Sequence, residues 1–168
     1  MRNAVIALLG LVLVVGPAVA QTQDAAPSTA EERKQIGELS KKLEQNPLDR
    51  SLTKDTRRLF QRIIDVPDIT VTLCNDVMPW LREDYKYAPE LSMTYTFGAA
   101  AYVIEHPAAD PGTSSWAGLE SALRGYQNLV KRDPKAKSRL MERALDQRDL
   151  GTLEPRVKDA CGPEKQRL

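Results

Sequence analysis

The chain has 168 residues, with 24 Lys+Arg against 23 Asp+Glu, one histidine and two cysteines. That length suits one domain with its own core. The near-zero net charge excludes nucleic acid as a main partner, because no surplus cation is available to displace phosphate counterions. A single histidine cannot build a metal cluster of several histidines.

Residues 1–20 read as a cleavable export signal. Arg2 supplies the positive charge, Ala4–Val15 is nearly unbroken apolar sequence, and Ala18-Val19-Ala20 gives a small-x-small cleavage pattern before Gln21. The apolar run is too short for a permanent membrane span. The expectation is a protein exported to a bacterial periplasm or beyond, cleaved after Ala20, with no stable membrane insertion. Residues 21–28 are small and polar and read as a flexible leader. One all-α domain is expected over 29–163, with 164–168 frayed.

The first helix is predicted from Thr29, where Thr29-x-x-Glu32 matches a capping box. Ile36, Leu39 and Leu43 form its apolar stripe, and Asn46-Pro47 ends it. A second helix is predicted over 51–65, with Leu52, Thr56, Leu59, Phe60, Ile63 and Ile64 inward. Arg57, Arg58 and Arg62 lie off that stripe, as a solvated face or an anion patch. Over 68–82 the β-branched alternation Ile69-Thr70-Val71-Thr72-Leu73 suits a strand, yet Ile69, Leu73, Val77, Trp80 and Leu81 also share a helical face. No second strand candidate exists to pair with it, so the expectation is helix, ended or kinked at Pro79.

A helix follows from Pro89 to Glu105, with small residues at Gly98–Ala101 that allow another helix to approach closely. Residues 107–114 read as a loop, with Ser114 or Ser115 as the next cap. Trp116, Leu119, Leu123, Tyr126 and Val130 then mark the cleanest amphipathic helix. Asp133-Pro134 opens another, carrying Ala136, Leu140, Met141, Ala144 and Leu145 and closing at Gly151. Thr152 caps a short last helix with Leu153, Val157 and Cys161. The fold expected is all-α: six to seven helices as antiparallel hairpins, stacked in a small bundle or short solenoid.

Phe97-Gly98-x-x-Ala101 and Ala122-x-x-x-Tyr126-x-x-Leu129-x-x-x-x-Pro134 resemble the two helices of a tetratricopeptide repeat. Asp149-Leu150-Gly151 resembles the turn of a further hairpin. The resemblance covers residues 89–161 at most. Gly98 and Ala122 are twenty-four residues apart, where the family places them about twelve apart in a 34-residue repeat. Residues 107–114 would then be an insertion, and Leu129 stands where a small residue is usual. The resemblance implies a concave surface for a protein or peptide, not catalysis.

Charge is unevenly spread. Residues 65–123 carry nine acidic and two basic side chains, whereas residues 124–168 carry seven acidic and twelve basic. Seven of the nine aromatics also lie in the acidic middle. That pattern suits an aromatic core with acidic faces, or an acidic surface for a basic partner or for the chain's own basic end. Tyr85, Tyr87, Tyr95, Tyr102 and Trp116 are the candidate partner surface. Cys74 and Cys161 are a disulfide candidate in an oxidising compartment, and their spacing excludes C-x-x-C chemistry.

No phosphate loop, nucleophile elbow or zinc-protease motif is present in the sequence. His106, before Pro107, suits a helix-end cap. The carboxylates Glu83, Asp84, Glu90 and Glu105 read as solvated acids. No catalytic residue, cofactor or metal is expected. The functional expectation is an exported, non-enzymatic interaction module for a protein or peptide. The alternative is a small carrier, or an enzyme, holding an apolar ligand between helices near Ala99–Tyr102.

Overall fold

The computed structural model describes residues 26–82 and 84–163. The expected signal, the first part of the leader, Glu83 and the 164–168 tail lie outside the described residues. Those described form six α-helices and no strand: α1 (Ala30–Gln45), α2 (Thr53–Asp65), α3 (Ala88–Glu105), α4 (Pro111–Arg132), α5 (Arg139–Asp149) and α6 (Leu153–Ala160). None is long and apolar enough to cross a membrane.

The helix ends are set by local chemistry. At α1 the capping box forms in full: the Thr29 hydroxyl accepts from the Glu32 N–H and the Glu32 carboxylate accepts from the Thr29 N–H. Ser28, grouped with the leader by composition, is already held, since its N–H and hydroxyl both donate to Asp68. α4 starts earlier than expected. Asp110, not Ser114 or Ser115, is its cap, accepting from the Thr113 N–H at 3.0 Å, and Pro111 takes the first turn. Ser114 and Ser115 are buried inside the helix. Asp133-Pro134 opens only a 3-10 turn over Pro134–Ala136, and Ser138 caps α5. Thr152 precedes α6 without capping it; its hydroxyl donates back to the Gln147 carbonyl. Gly151 turns the chain between α5 and α6 at φ 69°, a conformation that costs a side chain energy.

α3 is the centre of the molecule. Leu91, Tyr95 and Ala99 face one apolar cluster, shared with Leu119, Leu123, Tyr126, Met141 and Val157. Phe97 and Ala100 face a second, shared with Ile36, Leu39, Leu43, Leu59 and Ile63. α3 is therefore a wall common to both cores, which is why its sequence is apolar all round rather than striped. α4 packs along it as an antiparallel partner, α1 lies against both, and α5 and α6 lie against α4. Full burial of Trp80, Tyr95, Phe97 and Tyr126 contributes roughly 1.5–3 kcal/mol per large side chain.

The α3–α4 hairpin does not match a tetratricopeptide unit in length. The spacing between Gly98 and Ala122 is taken up by helix, 18 residues in α3 and 22 in α4, and not by an inserted loop. With α5 and α6 at 11 and 8 residues, no common repeat length recurs, and the hairpins form a small bundle.

Residues 66–87 correct the sequence reading. No α-helix forms over 68–82. Asp68 lies in a turn, residues 69–74 form neither helix nor strand, and two 3-10 turns follow at Asn75–Val77 and Pro79–Arg82. Ile69 is buried and Val71 packs against both clusters. The Tyr95 hydroxyl donates to the Thr72 carbonyl at 3.0 Å, and the Trp80 indole N–H to the Ser92 hydroxyl at 3.0 Å. Side chains of α3, not a second strand, thus hold this strap, one bond reaching its backbone at Thr72 and one its Trp80 side chain.

Candidate binding clefts

Of the five aromatic side chains expected to form a partner surface, Tyr95 is fully buried and belongs to the core. Burial pushes its hydroxyl pKa up. The other four are half-buried; Tyr85 and Tyr87 meet edge to face with ring centroids 5.6 Å apart, while Tyr102 and Trp116 stand on α3 and α4. Tyr85 donates to the Ala136 carbonyl at 2.6 Å and Tyr87 to Asp133 Oδ2 at 2.9 Å, so both fasten the strap to the turn before α5. Tyr87's hydroxyl holds the Asp133 carboxyl below the usual carboxylate range. Tyr102 stacks on His106 at 4.3 Å between ring centroids, at the other end of α3. Trp116 packs against the first apolar cluster from α4.

Small residues around Ala99 close α3 on α4. A methyl placed on Gly98 would lie 2.3 Å from Ser121 Cβ, so the helices touch where the carrier reading needs a gap. Ala99 and Ala100 are fully buried in the two cores. His106 caps α3: its Nδ1 donates to the Tyr102 carbonyl at 3.1 Å. Among the described residues, no three His, Cys, Asp or Glu side chains gather as a metal site.

The arginines of α2 separate. Arg62 pairs with Glu32 at 2.7 Å and Arg58 donates to Gln35 at 2.7 Å, both on α1, while Arg57 stands apart at the edge of a cleft described below. The acids of the middle segment also disperse: Asp68 pairs with Arg33 at 2.6 Å, Glu120 with Arg124 at 2.8 Å, and Asp110 caps α4.

Cys74 and Cys161 are joined, with their Cα atoms 5.9 Å apart. The bridge ties the strap to the C-terminal end of α6, and the two walls it joins bound a cleft of about 600 Å³. Asp76, Val77, Pro79 and Arg82 line it from the strap; Leu140, Arg143, Ala144 and Gln147 from α5; Leu153, Arg156, Val157, Asp159 and Ala160 from α6. Ala144, Leu153 and Val157 are buried and give it an apolar floor. Arg82 donates to the Asp76 carbonyl and Arg156 to Gln147 Oε1 at 3.0 Å. Among the described residues Arg143 has no hydrogen-bond or ion-pair partner. The three guanidiniums thus come from three separate elements around one concavity. Sequence reasoning missed this site because Arg82 and Arg143 are distant in the chain, and only the strap's path and the disulfide bring them together.

A second cleft, about 360 Å³ and mostly apolar, lies between the end of α1, α2 and the first turn of α3. Leu43, Pro47, Thr56, Phe60, Pro89 and Met93 line it, with Asp49, Arg57 and Glu90 as its charged groups.

Comparison with protein-family models, with curated proteins and with solved structures finds no match for this chain.

Proposed function

We propose that this protein is an exported, non-catalytic interaction module that holds an acidic peptide segment of a partner protein in the disulfide-bounded cleft of α5 and α6. The observation that carries this reading is the convergence of Arg82, Arg143 and Arg156 on one cleft with an apolar floor. Guanidinium groups present forked donors that suit carboxylates, and Arg143 has none to serve within the described fold. The apolar floor takes the side chains between the acids. Asp76 and Asp159 on the rim leave a modest positive excess, enough to choose between partners more than to bind any anion tightly.

Fluorescence anisotropy with labelled octa-glutamate and octa-lysine peptides tests the reading. Saturable binding of the acidic peptide, weakened by salt and abolished in the Arg143→Glu, Arg156→Glu variant, is expected. Equal or stronger binding of octa-lysine, or unchanged binding by that variant, refutes it. Export has its own test: the intact mass of protein recovered from a secreting host is expected to begin at Gln21, and a full-length mass refutes it.

A further inference from the structure

The cations of the arginine-lined cleft continue past its rim. Exposure alternates along the chain that leads into α5: Lys135, Lys137 and Arg139 are exposed, while Ala136 and Ser138 between them are buried. Ser138 has extended backbone, at φ −121° and ψ 130°, so Lys137 and Arg139 leave the chain on the side opposite its buried hydroxyl. Arg143 stands one turn beyond Arg139 on the same face of α5, and it lines the cleft. The strap runs alongside. At one end its Tyr85 and Tyr87 hydroxyls donate to Ala136 and Asp133, with Lys86 exposed between them. At the other end Arg82 lines the same cleft as Arg143.

The acids in these stretches do not neutralise the strip. Asp133 is half-buried and accepts from Tyr87 at 2.9 Å and from the Lys135 N–H at 3.0 Å. Glu142, also half-buried, accepts from Tyr126 at 2.6 Å. Among the described residues of 82–87 and 133–146, Asp84 and Asp146 are the exposed acids. Among the described residues, none of Arg82, Lys86, Lys135, Lys137, Arg139 and Arg143 forms an ion pair. The fold gains nothing from this placement. Arg139 is the first residue of α5, where a cation opposes the helix dipole, and Lys135 and Lys137 precede the same end. Unpaired like charges cost stability, and proteins retain such local conflicts where they bind something.

We propose that this basic strip continues the cleft, so that the partner's acidic segment leaves the cleft past Arg143 and runs over Arg139, Lys137 and Lys135. The proposal rests on the reading of the cleft given above and adds the length of what binds. From Arg143 to Lys135 the chain covers about 6 Å of helix and up to roughly 13 Å of extended backbone, which an extended peptide spans in about six residues. Full affinity then needs an acidic tract longer than the cleft itself.

Labelled tetra-glutamate and dodeca-glutamate, titrated by fluorescence anisotropy into the mature, disulfide-bonded protein and into its Lys135→Gln, Lys137→Gln, Arg139→Gln variant, test this. The variant is expected to bind dodeca-glutamate about tenfold more weakly than the parent, the combined effect of three exposed charges. Tetra-glutamate, too short to leave the cleft, is expected to bind parent and variant alike. The variant is expected to melt at or slightly above the parent, since cations at the start of α5 are removed. A fall of more than about 3 °C means that they have partners within the fold, and overturns the proposal. Parent-like binding of dodeca-glutamate by this variant, with loss in Arg143→Glu, Arg156→Glu, overturns the strip and leaves the cleft reading standing. Equal loss for both peptides also overturns it, because the strip would then not act beyond the cleft. Absence of dodeca-glutamate binding by the parent overturns both readings. Strip-dependent binding of phosphatidylglycerol vesicles without binding of dodeca-glutamate overturns the peptide assignment in favour of an anionic membrane surface.

Discussion

Glu44, at the end of α1, and Arg124, in the middle of α4, form a two-point pair: Arg124 Nη2 donates to Glu44 Oε1 at 2.8 Å and Nε to Oε2 at 2.9 Å. Glu44 is a hub. Its Oε1 also accepts from the Ser121 hydroxyl at 2.8 Å, and its backbone carbonyl accepts from Asn128 Nδ2 at 2.9 Å. The pairing keeps the Arg124 guanidinium protonated more firmly than usual. Glu44→Ala is expected to cost about 1–2 kcal/mol, because a carboxylate with several donors is lost. Arg124→Ala is expected to cost less, since Arg124 is 46% exposed and the pair is screened there. Urea unfolding of both variants checks the order, and a larger loss for Arg124→Ala contradicts it.

Gly98→Ala is a sharper test of packing. Glycine in mid-helix ordinarily costs about 1 kcal/mol against alanine, so this change on an exposed face would stabilise. Here Ser121 Cβ stands 2.3 Å from the added methyl, and both residues sit between α3 and α4. A loss of roughly 1–3 kcal/mol is expected from overpacking. Ser121→Gly removes the clashing atom but loses its own bonds, so a double-mutant cycle is expected to show Gly98→Ala costing less in the Ser121→Gly background than in the parent, read in thermal melts.

The disulfide closes a long loop, 87 residues from Cys74 to Cys161. Chain entropy gives about 4.5 kcal/mol for such a loop. Reduction, or the double change Cys74→Ala, Cys161→Ala, is expected to lower the melting temperature by roughly 10 °C. The same treatment is expected to weaken acidic-peptide binding, because the bridge joins two walls of the α5–α6 cleft. Unchanged melting would mean that the strap is held by Trp80, Tyr85 and Tyr87 without it.

Acid is expected to loosen the N-terminal helices. Arg62's hydrogen bond, joined by the Thr29 N–H, lowers the Glu32 pKa from 4.5 to about 2. Burial pushes the Asp68 carboxyl up, but bonds from Ser28 and Arg33 outweigh it and lower the value from 3.8 to about 2. Both folded values lie below the unfolded ones, so the stability they contribute is full above about pH 4.5 and is lost as pH falls toward 2. Glu32→Gln is expected to flatten the dependence of melting temperature on pH within that window and to change little of it near neutrality.

Much of the helical framework is legible in the sequence because it depends on neighbours in the chain. Thr29 and Glu32 are three residues apart, and their hydrogen bonds close within one turn. The amphipathic spacing of Leu119, Leu123 and Tyr126 reports a buried face directly, and all three are fully buried. The small residues at Gly98–Ala101 announced a close helix contact. The two cysteines were legible as a pair because nothing else in the chain competes for either.

The all-α class, most helix boundaries, the disulfide pairing and the close approach of α3 to another helix thus follow from the order of residues, all consequences of local hydrogen bonding, periodicity or simple counting. Tertiary structure alone decided the course of residues 66–87, the burial of Tyr95 and the position of both clefts. Ile69-Thr70-Val71-Thr72 satisfies two periodicities at once, and in the fold it adopts neither, its Thr72 carbonyl instead accepting from the Tyr95 hydroxyl on α3. Arg82, Arg143 and Arg156 carry no joint signature in the sequence, because their convergence rests on the strap's route and on a bond spanning half the chain.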